Sequence, residues 1–496
     1  MPVWHDPAVP SDLARAHAVF DLAMRIGEGM LVTGAAASEV TATMLRVITS
    51  SGIRNVSVSV TFNEVSISYL PSPEQSPFTR IRAAGHQSQN FTKLDAYEKI
   101  AERYVRGDLT LEQANAAATR IPGEKPVYPL WLVILALACM GGAAALGLGA
   151  GPLVIGAATL AAGILGILTE VLMARQVPLF YIQMLGGVVG AFAAIIVHLL
   201  DPTVNSSIVV VACIIILLAG LTSLGAMQDA ITGWYVTASG RVLETLMLTI
   251  GLVVGVRAGL LVAEWMDLEI SVSSAMPVTL SSALVLVVSG ALTGLGYAVA
   301  TSTPARSLTW CSLLAAVASL GSNLLAGVGL DRVWAVGFTA LAVGAASVLL
   351  AARAHAPALT FVLVGVIPMV PGSRIYRGLL ALGTDLTEGT AQLFGAAEVA
   401  VAIAAGAVLG QIVMTRILAT SVSSSSVLPV ISAPFTTLRR RRAVGVPRAR
   451  AGRSAGPALV AEAALPTTGI PAISLDDAPD LDAPEWAVRT GPDDRR

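Results

Sequence analysis

Cysteine, histidine and charge are all scarce in this chain. Its 496 residues include three cysteines and five histidines. Cys139, Cys213 and Cys311 sit singly inside apolar runs with no metal-ligand or redox spacing, so they read as packing residues. His5, His17 and His86 form no ligand set either, and neither a nucleotide loop nor a haem motif occurs among the apolar runs. No cofactor and no metal is implied, and nothing points to nucleic acid. The start, MPVWHDPAVPSDLARAH, lacks a basic stretch leading into a continuous apolar one. That argues against a cleavable signal, so the N-terminal segment is expected to stay on the side where it was made. Charged residues are only 13%, where a soluble domain carries about a quarter.

Apolar length is what the chain has in abundance. Hydrophobic residues make up 55% and the mean hydropathy is +0.74. From Leu130 to Leu418, apolar runs follow one another across short polar joints. A spanning helix needs about 20 apolar residues, and about ten windows qualify: 130–149, 151–172, 178–200, 206–226, 242–264, 278–301, 307–328, 333–352, 357–372 and 391–418. The first two share only Gly151-Pro152 and should form a tight hairpin. The ninth is interrupted by Pro368, Pro371 and Gly372 and reads as broken or re-entrant. The expected fold is mainly α: a polytopic α-helical membrane protein with about ten transmembrane helices. Its halves are 130–270 and 278–420, and five spans in each would make them an inverted repeat.

Residues 11–125 read as a small α/β domain. Ser11 opens a helix with Leu13, Ala16, Phe20, Ala23 and Met30 near helical spacing, and Ser38 a second with Val40, Met44, Val47 and Ile48 on one face. The period then changes to two. Val56, Val58, Val60 and Phe62, then Val65, Ile67 and Tyr69 across Asn63-Glu64, predict a β-hairpin, with a third strand near Thr79–Ala83. Helices follow at Thr92 and Thr110, each with a capping-box partner three residues on. Residues 421–496 are rich in Ser, Pro, Ala and Arg, have no sustained period, and read as a disordered tail. Its basic section, Arg439 to Arg453, is suited to anionic lipid or to setting topology.

Lys and Arg of short loops stay on the cytoplasmic side. Arg120, Lys125, Arg175, Arg241, Arg306, Arg353 and Arg416 fall on one side of a ten-span count. Asp201, Asp267 and Glu269 fall on the other, where Arg332 is offset by Asp331. Both termini are therefore expected in the cytoplasm. Arg374 and Arg377 break the pattern, so either the ninth segment does not cross or these arginines line a solvated cavity.

Ionisable groups at bilayer depth cost at least a few kcal/mol unless paired or hydrated. Asp229 lies in LTSLGAMQDAITGWYVTASGRVLE, loosened by Gly225, Gly233 and Gly240, and such a segment can leave backbone groups free for a solute. An ordinary loop is the alternative. The second half echoes it faintly, Gly225…Asp229…Gly233 against Gly372…Arg374…Gly378. Glu398 is the most isolated carboxylate and can serve as a proton carrier or as a structural hydrogen-bond partner. Arg257, Glu170, Gln183, Asn323 and Gln392 read as pairing or packing contacts, with solute contact open for the last four and ion coupling open for Glu170.

The order of parts resembles the threonine/serine exporter family. The resemblance covers residues 15–420 and rests on LARAHAVFDLAMRIGEGMLVTGAAASEVTATMLRVITSSG, VSVSVTFNEVSISYL, GLTSLGAMQDAITGWYVTASGRVLE and GVIPMVPGSRIYRGL. It implies ion-driven export, with protons the expected ion, of small hydroxylated amino acids from a cell-membrane protein that is not an enzyme. A zwitterionic solute needs a cation and an acceptor, and Arg374 and Asp229 are the candidates, with Gly372, Gly233 and Gln183 beside them. The partners are then an amino acid and the lipid bilayer, with a homo-oligomer left open. A channel, a structural subunit or a membrane-anchored enzyme are the other classes, although no nucleophile motif stands in residues 1–125.

Overall fold

The computed structural model describes residues 11–421, apart from 72–75, 86, 220–222, 267–279 and 383–384. The tail from 422 onward and the joint carrying Asp267 and Glu269 lie outside the described residues.

The N-terminal domain follows its periodicities. Helix α1 (Ser11–Val32) buries Phe20, Ala23 and Met30, and α2 (Ala37–Ser50) buries Val40, Met44, Val47 and Ile48. α2 begins one residue before Ser38, and Ala36 before it supplies no side-chain cap. Strands β1 (Val56–Thr61), β2 (Glu64–Tyr69) and β3 (Phe78–Ala83) form an antiparallel sheet in that order. Val60 faces Val65 across the hairpin, and both are buried with Ile67. Helix α3 (Phe91–Arg106) is capped by Asn90, whose side chain accepts from the Lys93 N–H at 3.0 Å. Thr92, the expected start, instead donates its hydroxyl to the Ser302 carbonyl in the membrane region. The capping box of Thr110 and Gln113 is present on α4 (Leu111–Arg120).

The apolar zone folds into α5 (Leu130–Gly147), α6 (Pro152–Ala174), α7 (Leu179–Leu200), α8 (Ser207–Ala219), α9 (Ser223–Ile231) and α10 (Tyr235–Trp265). Then follow α11 (Leu280–Ala300), α12 (Ala305–Gly327), α13 (Arg332–Ala354), α14 (Ala358–Val366), α15 (Gly372–Ala381) and α16 (Leu386–Ser421). Among the described residues, eight helices are long and apolar enough to cross a membrane alone, and α14 with α15 makes a ninth, bent by 51°. The window 357–372 is thus not one continuous helix, and the window 206–226 holds α8 and the start of α9 with 220–222 outside the described residues. α5, α6 and α7 make three crossings from the N-terminal domain, and α10 begins against that domain again through Thr237 and Val60. So the segment that holds α8 and α9 returns the chain.

Each half then takes five passages, with the fourth of the second half bent, and the packing repeats. In the first half α7 and α10 run side by side in the same direction, with Gly251 against Phe180, Gly255 against Met184 and Gly259 against Ala191. In the second half α13 and α16 do the same, with Gly337 against Ala402 and Gly344 against Ala407. The first helix of each half meets its counterpart antiparallel: Gly147 of α5 touches Ser289 of α11, and Gly296 of α11 touches Met140. An odd number of passages inverts the second half in the membrane, and this antiparallel contact is what inversion requires. Small residues make these close approaches possible where lipid supplies no hydrophobic drive between helices.

A methyl group at Gly255 would lie 1.8 Å from the Met184 carbonyl oxygen. Gly255→Ala should therefore destabilise the first half by at least the roughly 1–3 kcal/mol of ordinary overpacking. Thermal unfolding of the purified protein in detergent checks this.

Candidate functional site

Polar groups enter the apolar packing in two places, one toward each membrane face. The first lies beneath the N-terminal domain. Asp229 of α9 and Arg241 of α10 are fully buried and form an ion pair, Oδ2 to Nη1, at 2.9 Å. The same two side chains hold the loop before α2. The Ala37 N–H donates to Asp229 Oδ1 at 2.9 Å, and Arg241 Nη2 donates to the Ala35 carbonyl at 3.0 Å. One turn earlier on α10, the Thr237 hydroxyl donates to the Val60 carbonyl at 3.0 Å and accepts from the Phe62 N–H at 3.3 Å. A side chain at Gly225 would come within 2.7 Å of the Arg241 guanidinium, and one at Gly240 would press on the Phe62 ring. Gly233 closes α9 with φ +91°. The glycines of this segment serve helix ending and domain docking rather than exposing backbone to a solute.

The domain also grips the second half. The Phe91 and Thr92 N–H groups donate to the Thr301 and Ser302 carbonyls at 3.0 and 3.1 Å, where α11 ends. Arg306 of α12 pairs with Asp95 at 2.5 Å, and Tyr297 donates to the Gln89 side chain. One small domain thus bridges both halves on its own face.

On the opposite face a cavity of about 470 Å³ opens between the halves. Its walls come from the end of α5, Ile215 of α8, the first half of α11, the second half of α12, the start of α13 and the α14–α15 break. Pro368 and Pro371 create that break, since neither can donate a backbone hydrogen bond. Ser289, Thr293, Ser319 and Ser373 supply hydroxyls, and Arg332, Arg374 and Arg377 supply charge. No carboxylate lines the cavity among the described residues. Arg332 donates to Asn323 Oδ1 at 3.2 Å and Arg374 to the Gly395 carbonyl at 3.1 Å, so neutral acceptors hold both guanidinium groups.

The expected site residues divide accordingly. Arg374 lines the cavity, and Gly372 stands at its rim, packed against Ile215. Asp229 and Gly233 are not with them. Gln183 donates to the Leu217 carbonyl at 3.2 Å, filling an acceptor near the end of α8. Arg257 pairs with Glu264 at 3.0 Å. Glu170 and Glu398 lie on exposed helix faces and neither lines the cavity, although Val399 beside Glu398 does. Sequence reasoning missed Arg241 and Arg332, which it counted as loop charges. The signals available were the twelve-residue interval from Asp229 to Arg241 and the Asn323…Arg332 interval across one helical hairpin.

Eight membrane-length helices and a ninth, bent passage among the described residues, packed around a polar cavity, define the architecture of a membrane transporter. Comparison with known proteins gives the family. A threonine/serine exporter model matches residues 21–263, and a second, described as "Threonine/Serine exporter, ThrE", matches 286–413. The "Threonine/serine exporter" of Corynebacterium glutamicum is 31% identical over 422 residues, 83% of this chain and 86% of that protein. The "Probable threonine/serine exporter" of Mycobacterium tuberculosis is 30% identical over 407 residues, covering 79% and 76%. No solved structure matches. The chain belongs to the threonine/serine exporter family, a family of amino-acid exporters.

Removing one partner of a buried ion pair leaves the other uncompensated, at a cost of about 3–5 kcal/mol. Asp229→Asn should show that loss in thermal unfolding, and the double variant Asp229→Leu/Arg241→Met should recover most of it. A double-mutant cycle measures the difference.

Proposed function

We propose that the protein exports threonine and serine across the cell membrane by alternating access, with both termini in the cytoplasm and protons as the coupling ion. The family assignment supports the substrate. One observation carries the mechanism: a cavity lies between the halves toward one face, while the N-terminal domain bridges both halves on the other. Inversion gives each half the same elements in opposite orientation, so a second arrangement should open the cavity on the domain's side. The counterpart of α15 in the first half is α9, and there Asp229 and Arg241 fasten the Ala35–Ala37 loop. Opening on that side requires the domain to release at least one half. The second half is the easier one to release, because Arg306, the partner of the buried Asp95, is exposed, whereas Asp229 and Arg241 are both buried. The domain then travels with the first half as a gate.

Within the cavity Arg374 takes the solute carboxylate, while hydroxyl oxygens and the carbonyls freed at the break take its ammonium. Glu398 has no ion pair or hydrogen bond among the described residues. An unpaired carboxylate on a membrane helix must be protonated or hydrated, which suits a proton carrier.

Counterflow of labelled threonine into liposomes holding the purified protein tests the reading. Wild type should concentrate label. Losing a charged hydrogen bond of about 1.5–3 kcal/mol in Arg374→Gln should raise the half-saturation concentration about tenfold or more. Glu398→Gln should keep counterflow but lose its response to an imposed pH gradient. Ohmic current without counterflow would indicate a channel instead.

A further inference from the structure

The cavity's charge does not match a zwitterion. Threonine or serine brings one carboxylate and one ammonium, no net charge, to a site lined by three arginines and by no described carboxylate. Arg332 and Arg374, two like charges, line the same cavity. Neither finds an acidic partner among the described residues; each spends a donor on a neutral oxygen, Asn323 Oδ1 or the Gly395 carbonyl. A guanidinium has five N–H donors, so each keeps most of its donors for a ligand. These contacts also tether both side chains, so they do not simply extend into water. Ligand pockets for drug-sized molecules run from roughly 300 to 1,000 Å³, and a cavity of about 470 Å³ exceeds what one small amino acid fills.

We infer that the cavity binds a small monovalent inorganic anion of the chloride class between Arg332 and Arg374, together with the amino acid. The anion offsets the like charge of the two guanidinium groups, and Arg374, with five N–H donors, keeps donors for the solute carboxylate. Ser289, Thr293 and Ser319 remain for the solute's polar groups. Anion and amino acid then assist one another, because each finds the site less unfavourably charged when the other is bound, and linkage makes that assistance reciprocal. The inference rests on the exporter reading for the identity of the neutral ligand, but the anion site itself rests on the arginines alone.

The test uses the full-length purified protein with chloride, nitrate or gluconate as the sole anion. Chloride and nitrate should raise the unfolding temperature in a saturable way and gluconate should not. Labelled threonine should bind about fivefold or more tightly in chloride than in gluconate, and counterflow should follow. Arg332→Gln and, separately, Arg374→Gln should abolish the anion-dependent shift, and Arg332→Lys should retain part of it. Equal threonine binding and equal counterflow in gluconate overturn the inference while leaving the exporter reading intact. Chloride that weakens threonine binding also overturns it, since the two would then compete for one guanidinium. Saturable chloride stabilisation without counterflow in any anion supports the anion site and counts against the exporter reading.

Discussion

A charge inside lipid must be matched or hydrated, and the molecule meets that demand differently at its two faces. Beneath the N-terminal domain, Asp229 and Arg241 pair with each other away from water, and each makes one further hydrogen bond, to the Ala37 N–H and the Ala35 carbonyl. Toward the other face, Arg332, Arg374 and Arg377 are gathered without a carboxylate around an open cavity. The first arrangement is satisfied and closed; the second is complete only when something binds. The functional asymmetry follows from that difference.

In the proposed cycle, inversion is what makes the asymmetry reversible. The antiparallel contact of α5 with α11 joins the halves, and glycine seams of α7 with α10 and α13 with α16 pack each half closely. Proline breaks the fourth passage of the second half, and Gly372 just past that break packs against Ile215 of α8 in the first half. The N-terminal domain adds what the repeat alone lacks. It is an asymmetric tie whose grip on the first half is buried and whose grip on the second is partly exposed.

Much of this was legible in the residues. Alternation at Val58, Val60, Val65 and Ile67 specified the hairpin, and Pro368, Pro371 and Gly372 marked the broken ninth passage and with it the surroundings of Arg374. Asp229 was read as a solute contact because its glycine-loosened segment resembles a binding loop. Its real partners, Arg241 and the backbone before α2, become visible only after the N-terminal domain docks. Arg332 was counted as a loop charge, since a linear count cannot tell a joint from a cavity wall. Glu398 stood out as an intramembrane carboxylate, but which way a helix face turns depends on its packing against α13.

The most direct test is side-specific labelling of single cysteines placed at Ser319 and Ser373, in a background with Cys139, Cys213 and Cys311 replaced, in vesicles of known orientation. The account predicts reaction with a membrane-impermeant thiol reagent from the face opposite the N-terminal domain. A threonine gradient that drives turnover should add reactivity from the domain's face. Labelling from neither face, or from the domain's face alone at rest, would contradict it.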